Sequence, residues 1–245
     1  INGKYPDVFN DPVKGDEAKK LYEDARHYLD EIIDRDIIDA KGIVGLYPAM
    51  SRGDDIVYYP VGAAKEPVVF NFLRNQEKKQ GDKPNLCLSD FVAPEETGLD
   101  DYAGLFVVSA EPDEEKMKMY AADDYGTIMI MILSDRLAEA FTELVHEKVR
   151  KEIWGYARDE ELSVEDMLKI RYRGVRPAPG YPACPDHTEK GKLFDMMDVP
   201  GNIGVTLTEN FAMKPVSSVS GYIFAHERSS YFNVGKISDE QVVDY

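Results

Sequence analysis

The chain has 245 residues, of which 43% are hydrophobic and 31% charged, and its formal net charge is −17. That length suits one large domain or two small ones. The acidic balance argues against nucleic acid and against an anionic membrane surface as partners, because both call for a basic face.

Only Cys87 and Cys184 carry thiols, and neither has a neighbour at metal spacing. No disulfide framework or zinc site is read from them, and a reducing cytosol is the natural compartment. No apolar run is long enough to span a bilayer. The chain opens Ile1-Asn2-Gly3-Lys4-Tyr5-Pro6, without an initiator methionine or a signal-peptide pattern, and reads as a piece of a larger polypeptide.

Residues 15–35 read as a helix, with Leu21, Ala25, Tyr28, Leu29, Ile32 and Ile33 at helical spacing. Residues 42–48 are short, apolar and bounded by breakers, which predicts a buried strand. A turn at 51–55 and a return strand at 56–59 complete a hairpin; Asp54 and Asp55 are read as turn residues rather than metal ligands. Residues 68–79 begin as strand and end as helix. Residues 86–94 read as a strand leading to a turn, and 103–110 as a clear buried strand.

The longest helical pattern covers 124–154, roughly 45 Å at ~1.5 Å per residue. Its apolar stripe includes Ile128, Met129, Ile132, Leu133, Leu137, Phe141, Leu144 and Val149. Glu139 lies beside the stripe, three residues after Arg136, where an exposed ion pair is the plain reading. His146 at the stripe's edge is read as packed or solvated. Ser163-Val164-Glu165-Asp166 has a capping pattern and opens a short helix over roughly 164–172. A further helix begins at 188–190 and stops at Pro200-Gly201. Residues 205–208 alternate as a strand. Residues 219–225 and 231–234 flank a turn and predict a hairpin, followed by a capped final helix from Ser238.

Between two of these helices lies Arg176-Pro177-Ala178-Pro179-Gly180-Tyr181-Pro182-Ala183-Cys184-Pro185. Proline fixes φ, lacks an N–H and pushes its predecessor towards an extended conformation. Helix and central strand are therefore excluded here, and a stiff ribbon turning at Gly180 is predicted. Its carbonyls have few competing amides. Two readings stand at this point: a rigid surface turn, or the preordered wall of a ligand site. The strands fall on both sides of the long helix, with hairpin-type connections, no regular βαβ alternation and no G-x-G-x-x-G. The expected class is α+β with an antiparallel sheet, in one continuous domain.

The ribbon, followed by His187-Thr188-Glu189-Lys190, resembles the signature of the activation domain of cobalamin-dependent methionine synthase. Other segments resemble that family in the same order: Gly45-Leu46-Tyr47-Pro48-Ala49, Gly53-Asp54-Asp55-Ile56, Asp90-Phe91-Val92-Ala93-Pro94, Asp135-Arg136-Leu137-Ala138-Glu139-Ala140-Phe141, Trp154-Gly155-Tyr156 and Ser218-Val219-Ser220-Gly221. The resemblance implies a single C-shaped α+β domain over 1–245, with a twisted antiparallel sheet, flanking helices and one long central helix.

It further implies a module that binds S-adenosylmethionine and reactivates cobalamin stranded as Co(II). Flavodoxin or an equivalent reductase supplies the electron, and the parent enzyme makes methionine from homocysteine and methyltetrahydrofolate in the cytoplasm. Cobalamin, and zinc if any, belong to neighbouring domains. The resemblance places Arg176, Ala178, Tyr231 and Glu139 at ligand contacts, with Phe232 in the same stretch where a tyrosine is expected. Arg176 suits a carboxylate, the Ala178 carbonyl an amino group, Glu139 the positive centre, and Tyr181 and Tyr231 the walls. An aspartate that the family uses lies upstream of Gly3-Lys4-Tyr5-Pro6. No general base, protein nucleophile or metal is called for in this module, which is not expected to turn over alone. Two alternatives are a docking module without ligand binding and a hydrolase built on Cys184, Asp186 and His187, whose closeness in sequence speaks against it.

Overall fold

A computed structural model of the chain describes residues 3–60, 66–79, 81 and 84–244. Helix α1, Gly15–Asp34, carries Asp16 and Glu17 in its first turn, where they complement the helix dipole. The chain then enters β1, Ile38–Arg52, turns through Gly53 at φ +64° and returns as β2, Asp55–Tyr58. Strands β3, Val68–Phe70, and β4, Tyr102–Pro112, follow. A single turn α2, Glu114–Met117, leads to the long helix α3, Asp124–Lys148, whose Asp123 side chain accepts the Gly126 amide. A π-helical turn over Val149–Ile153 extends it. After α4, Val164–Leu168, the proline ribbon passes to α5, Glu189–Met197, and α6, Val199–Ile203. Two short strands, β5, Thr206–Leu207, and β6, Met213–Lys214, precede β7, Ser218–Ile223, and α7, Asp239–Asp244.

The main sheet has five strands in the order β3-β2-β1-β4-β7, and every neighbouring pair is antiparallel. Strand β4, between β1 and β7, is covered on both faces. Leu105 and Val107 join Tyr58, Phe70, Tyr222 and Phe224 in the main core against Leu193, Phe194, Met196 and Met197 of α5. Phe106 and Val108, on the alternate face, pack against Val145 of α3 and Val149. The N-terminal part of α3 is held separately, with Ile130 beside Ile32, Ile37 and Tyr120. The α+β class and the long helix are therefore as expected. Among the described residues no helix is long and apolar enough to cross a membrane.

Four local expectations are corrected. Residues 71–79 are not helical: Phe72 and Leu73 are both buried, and Arg74 binds Asp54 and Asp90 at 2.8 Å and the Asn85 carbonyl at 2.8 Å. Those tertiary bonds outweigh helix propensity. Residues 86–92 hold a 3-10 turn, Leu88–Phe91, fixed by the Asp90 carboxylate on the Cys87 amide at 2.9 Å. Helix α5 ends at Asp198, which sits in the left-handed region at φ 46°, and Pro200-Gly201 belong to α6. Finally, 231–234 is not the hairpin partner of β7. That strand pairs with β4 on one edge, and on its outer edge it receives the ribbon.

Candidate functional site

The ribbon begins as an added edge strand. The Val175 amide donates to the Phe224 carbonyl at 3.0 Å, the reverse bond is also 3.0 Å, and the Tyr222 amide donates to the Pro177 carbonyl at 2.9 Å. Pro177, with no amide of its own, returns no bond to Tyr222, and the outward-facing amide is that of Arg176. The approach is close: a Cβ at Gly221 would stand 2.5 Å from the Pro177 carbonyl oxygen. The ribbon then turns at Gly180, φ +94°, whose amide donates to the Cys184 carbonyl at 2.8 Å. The imidazole of His187 packs where a Gly180 side chain would be.

Across from the ribbon runs α3. Its exposed face presents Asp135, Glu139 and Glu143 one turn apart, and all three line a cavity of about 730 Å³. The same cavity is lined by Arg176, Ala178, Tyr181, Tyr231 and Phe232. The structure thus gathers every site residue expected from the sequence around one space. Tyr181 is 64% exposed at its mouth, while Phe232 packs edge-on to Phe91 with ring centres 6.2 Å apart. The Tyr231 hydroxyl accepts the Arg176 backbone N–H at 3.1 Å, which ties the last loop to the ribbon.

Four of the charged groups are already engaged. Glu139 and Arg136 form the exposed pair expected, at 3.0 Å. The Arg176 guanidinium is mostly buried and pairs through Nη2 with Glu143. Its Nη1 donates to the Tyr172 hydroxyl at 3.0 Å and to His146 Nδ1 at 3.1 Å. Burial works against its charge, but Tyr172, Tyr231 and Glu143 more than offset that and hold its pKa above the ordinary arginine value. His146 is fully buried; desolvation, with Arg176 and Arg150 beside it, holds its pKa well below the ordinary imidazole value.

The ribbon carbonyls are less free than the missing amides suggest. The Ala178 carbonyl accepts the Tyr181 amide at 3.1 Å and the Cys184 thiol at 3.0 Å, so both of its lone pairs have donors. Nor do Cys184, Asp186 and His187 form a hydrolytic triad. Burial pushes the Cys184 thiol up to about 12, Asp186 receives the Thr188 amide and hydroxyl, and His187 Nδ1 faces Lys190 Nζ at 2.8 Å. Among the described residues no cluster of His, Cys, Asp and Glu is placed to hold a metal ion.

Sequence reasoning missed Asp135, Glu143, Tyr172 and His146 as parts of the site. The four-residue spacing of the three α3 carboxylates was a usable signal, and Tyr172 precedes Arg176 by the same interval.

Comparison with known proteins agrees along the whole chain. The family model described as vitamin B12 dependent methionine synthase, activation domain, matches residues 1–245. A solved structure, "Crystal Structure of the MetH Reactivation Domain bound to AdoHcy", superposes with a TM-score of 0.92 at 45% sequence identity, covering 100% of this chain and 76% of that one. With the proline ribbon, the antiparallel sheet and the cavity between ribbon and long helix all in place, the chain belongs to the family of vitamin B12-dependent methionine synthase activation domains.

Proposed function

We propose that the cavity binds S-adenosylmethionine and that residues 1–245 act as one reactivation module of a methionine synthase, a methyltransferase. One observation carries this: a single space of about 730 Å³, within the ordinary range for small-ligand sites, gathers the ribbon, the α3 carboxylates and Tyr231. AdoHcy, held by the related reactivation domain, is what remains of S-adenosylmethionine after it gives up its methyl group. The charge also fits. Asp135, Glu139 and Glu143 face Arg136 and Arg176 on the lining, an excess of one negative charge. S-adenosylmethionine, with a sulfonium, an ammonium and a carboxylate, carries one net positive charge.

In this assignment Arg176 holds the carboxylate with its remaining N–H donors. Glu139 and Asp135 face the positive groups. Tyr181, Tyr231 and Phe232 supply ring walls, and Ala178 supplies a close backbone surface rather than a free acceptor. The bound ligand would supply an electrophilic methyl group to cobalamin carried by a neighbouring domain. The protein's part is to hold and orient, and no side chain of the cavity is poised as a nucleophile. The module is therefore expected to have no turnover alone, and to need the cobalamin domain and a flavodoxin-type reductase in the cytoplasm.

Calorimetric titration of S-adenosylmethionine into the native protein and Arg176→Ala tests this. We expect saturable binding by the native chain and a loss of at least about tenfold in the variant, the scale of a charge-assisted hydrogen bond. Equal binding by both proteins removes Arg176 from the site. Absence of binding by the native chain and by the intact methionine synthase leaves a docking role for the cobalamin domain or reductase.

A further inference from the structure

Of the charged groups lining the cavity, Arg176 has the most side-chain partners, and one of them is a buried histidine. A guanidinium has five N–H donors and no acceptor. Three are used by the protein: Nη1 on Tyr172 and on His146 Nδ1, and Nη2 on Glu143. The hydrogens left over are Nε–H and one on Nη2. Because arginine cannot accept, His146 Nδ1 must be the acceptor, and the imidazole proton lies on Nε2, directed at the Tyr156 hydroxyl 3.4 Å away.

Two neighbours explain why this histidine must stay neutral. The Arg176 guanidinium lies 5.8 Å from the Tyr172 ring centre and that of Arg150 lies 4.5 Å from the same ring. His146 itself meets that ring edge-on at 5.0 Å. The groups facing the imidazole are therefore Arg176 from the ribbon, Arg150 from the π turn, Tyr172, Tyr156, and Glu143 one turn earlier on α3. Glu160 reaches the cluster only by pairing with Arg150 at 2.6 Å. A third cation there would stand between two guanidinia.

We propose that His146 is a positioning residue for Arg176: its neutral imidazole anchors Nη1 and so leaves Nε–H and one Nη2–H fixed towards a carboxylate-bearing ligand. A carboxylate in this place would hold the guanidinium equally well but would cancel its charge and repel the ligand. Imidazole orients without cancelling. Glu143, 39% exposed, shares its charge with solvent, and of the two partners on Nη1 the imidazole is the more deeply buried. The ligand assignment rests on the proposed function above; the ordering of Arg176 by His146 does not.

The test has two arms. In the first, nitrogen NMR of the intact protein follows the Arg176 Nη signals and the His146 ring through an acid titration, with no ligand present. We expect resolved, slowly rotating Nη groups and a His146 that stays in the Nε2–H form well below pH 6.5. The Nη signals collapse together when it finally protonates. In His146→Leu they are averaged at every pH, and His146→Asn, which keeps an acceptor near the Nδ1 position, restores them in part. In the second arm, S-adenosylmethionine affinity falls about tenfold in His146→Leu and recovers in His146→Asn. Arg176 signals indifferent to His146 protonation in the native protein overturn the proposal, and that readout does not depend on a variant folding. Native protein that shows the ordering yet binds no S-adenosylmethionine overturns the ligand assignment and leaves the positioning role supported. Loss of ordering with unchanged affinity overturns the role of His146 in the site.

Discussion

The hydroxyl of Tyr231 accepts the backbone N–H of Arg176 at 3.1 Å, across 55 positions of chain. It supplies an acceptor to a ribbon residue whose amide lies outside the β7 ladder. Tyr231→Phe keeps the ring and removes that acceptor. Urea unfolding is expected to show a loss of about 1 kcal/mol, the usual net value of one hydrogen bond. Affinity for S-adenosylmethionine should fall several-fold in the same variant. Unchanged stability and affinity would show that water replaces the hydroxyl without cost.

Gly221 is the second place where the ribbon is held. A side chain there would meet the Pro177 carbonyl at 2.5 Å and the Phe106 ring at 3.0 Å, so backbone or core must shift. Gly221→Ala is expected to cost about 1–3 kcal/mol through overpacking. It should also lift the ribbon from β7, with faster exchange of the Tyr222 amide, which now donates to Pro177 at 2.9 Å. Hydrogen exchange checks this directly; a protected Tyr222 amide in the variant would contradict it.

Acid should destabilise the fold through His146. Its folded pKa is depressed by burial and by Arg176 and Arg150, so the unfolded chain binds the proton more tightly. The stability contribution is complete above the unfolded value near 6.5 and is lost as pH falls towards the lower folded value. The slope is at most about 1.4 kcal/mol per pH unit for one proton. Thermal melts of native protein and His146→Asn between pH 7 and 5 should diverge at the acid end, the native protein losing more. Parallel melts would assign the acid sensitivity elsewhere.

Neither cysteine should behave as a reactive thiol. Burial pushes Cys87 up to about 11 and Cys184 up to about 12, so both are thiols at neutral pH. Reaction with a disulfide reagent should be slow in the folded protein and fast in urea. Cys184→Ser should keep ligand binding, since a hydroxyl also donates to the Ala178 carbonyl. A fast-reacting thiol in the folded protein, or a variant that no longer binds, would reopen a chemical role for Cys184.

The parts legible in the sequence are those whose signal is local. The apolar stripe of α3, the buried run at Leu105-Phe106-Val107-Val108, the capping box at Ser163 and the breakers of the ribbon all specify their own conformation. Two of the failures depended on distant partners. Phe72 to Lys79 carries helix formers, but Arg74 is claimed by Asp54 and Asp90. The alternation of β7 announces a strand without saying which edge it offers to which neighbour. The site divides the same way. Arg176, Glu139 and Tyr231 were expected from the family resemblance carried by the ribbon. Asp135 and Glu143 became visible only once the exposed face of α3 was known. His146 looked like a packing residue because its role lies in one contact with a residue thirty positions away.

The ribbon's place on the outer edge of β7 has a consequence beyond the cavity. An open strand edge is a template on which another chain can build, and long exposed edges invite aggregation. Here the strip that takes up the Tyr222 and Phe224 amides turns the Arg176 amide outward, and the Tyr231 hydroxyl already holds it. The wall of the cavity is thus also the selvedge of the sheet.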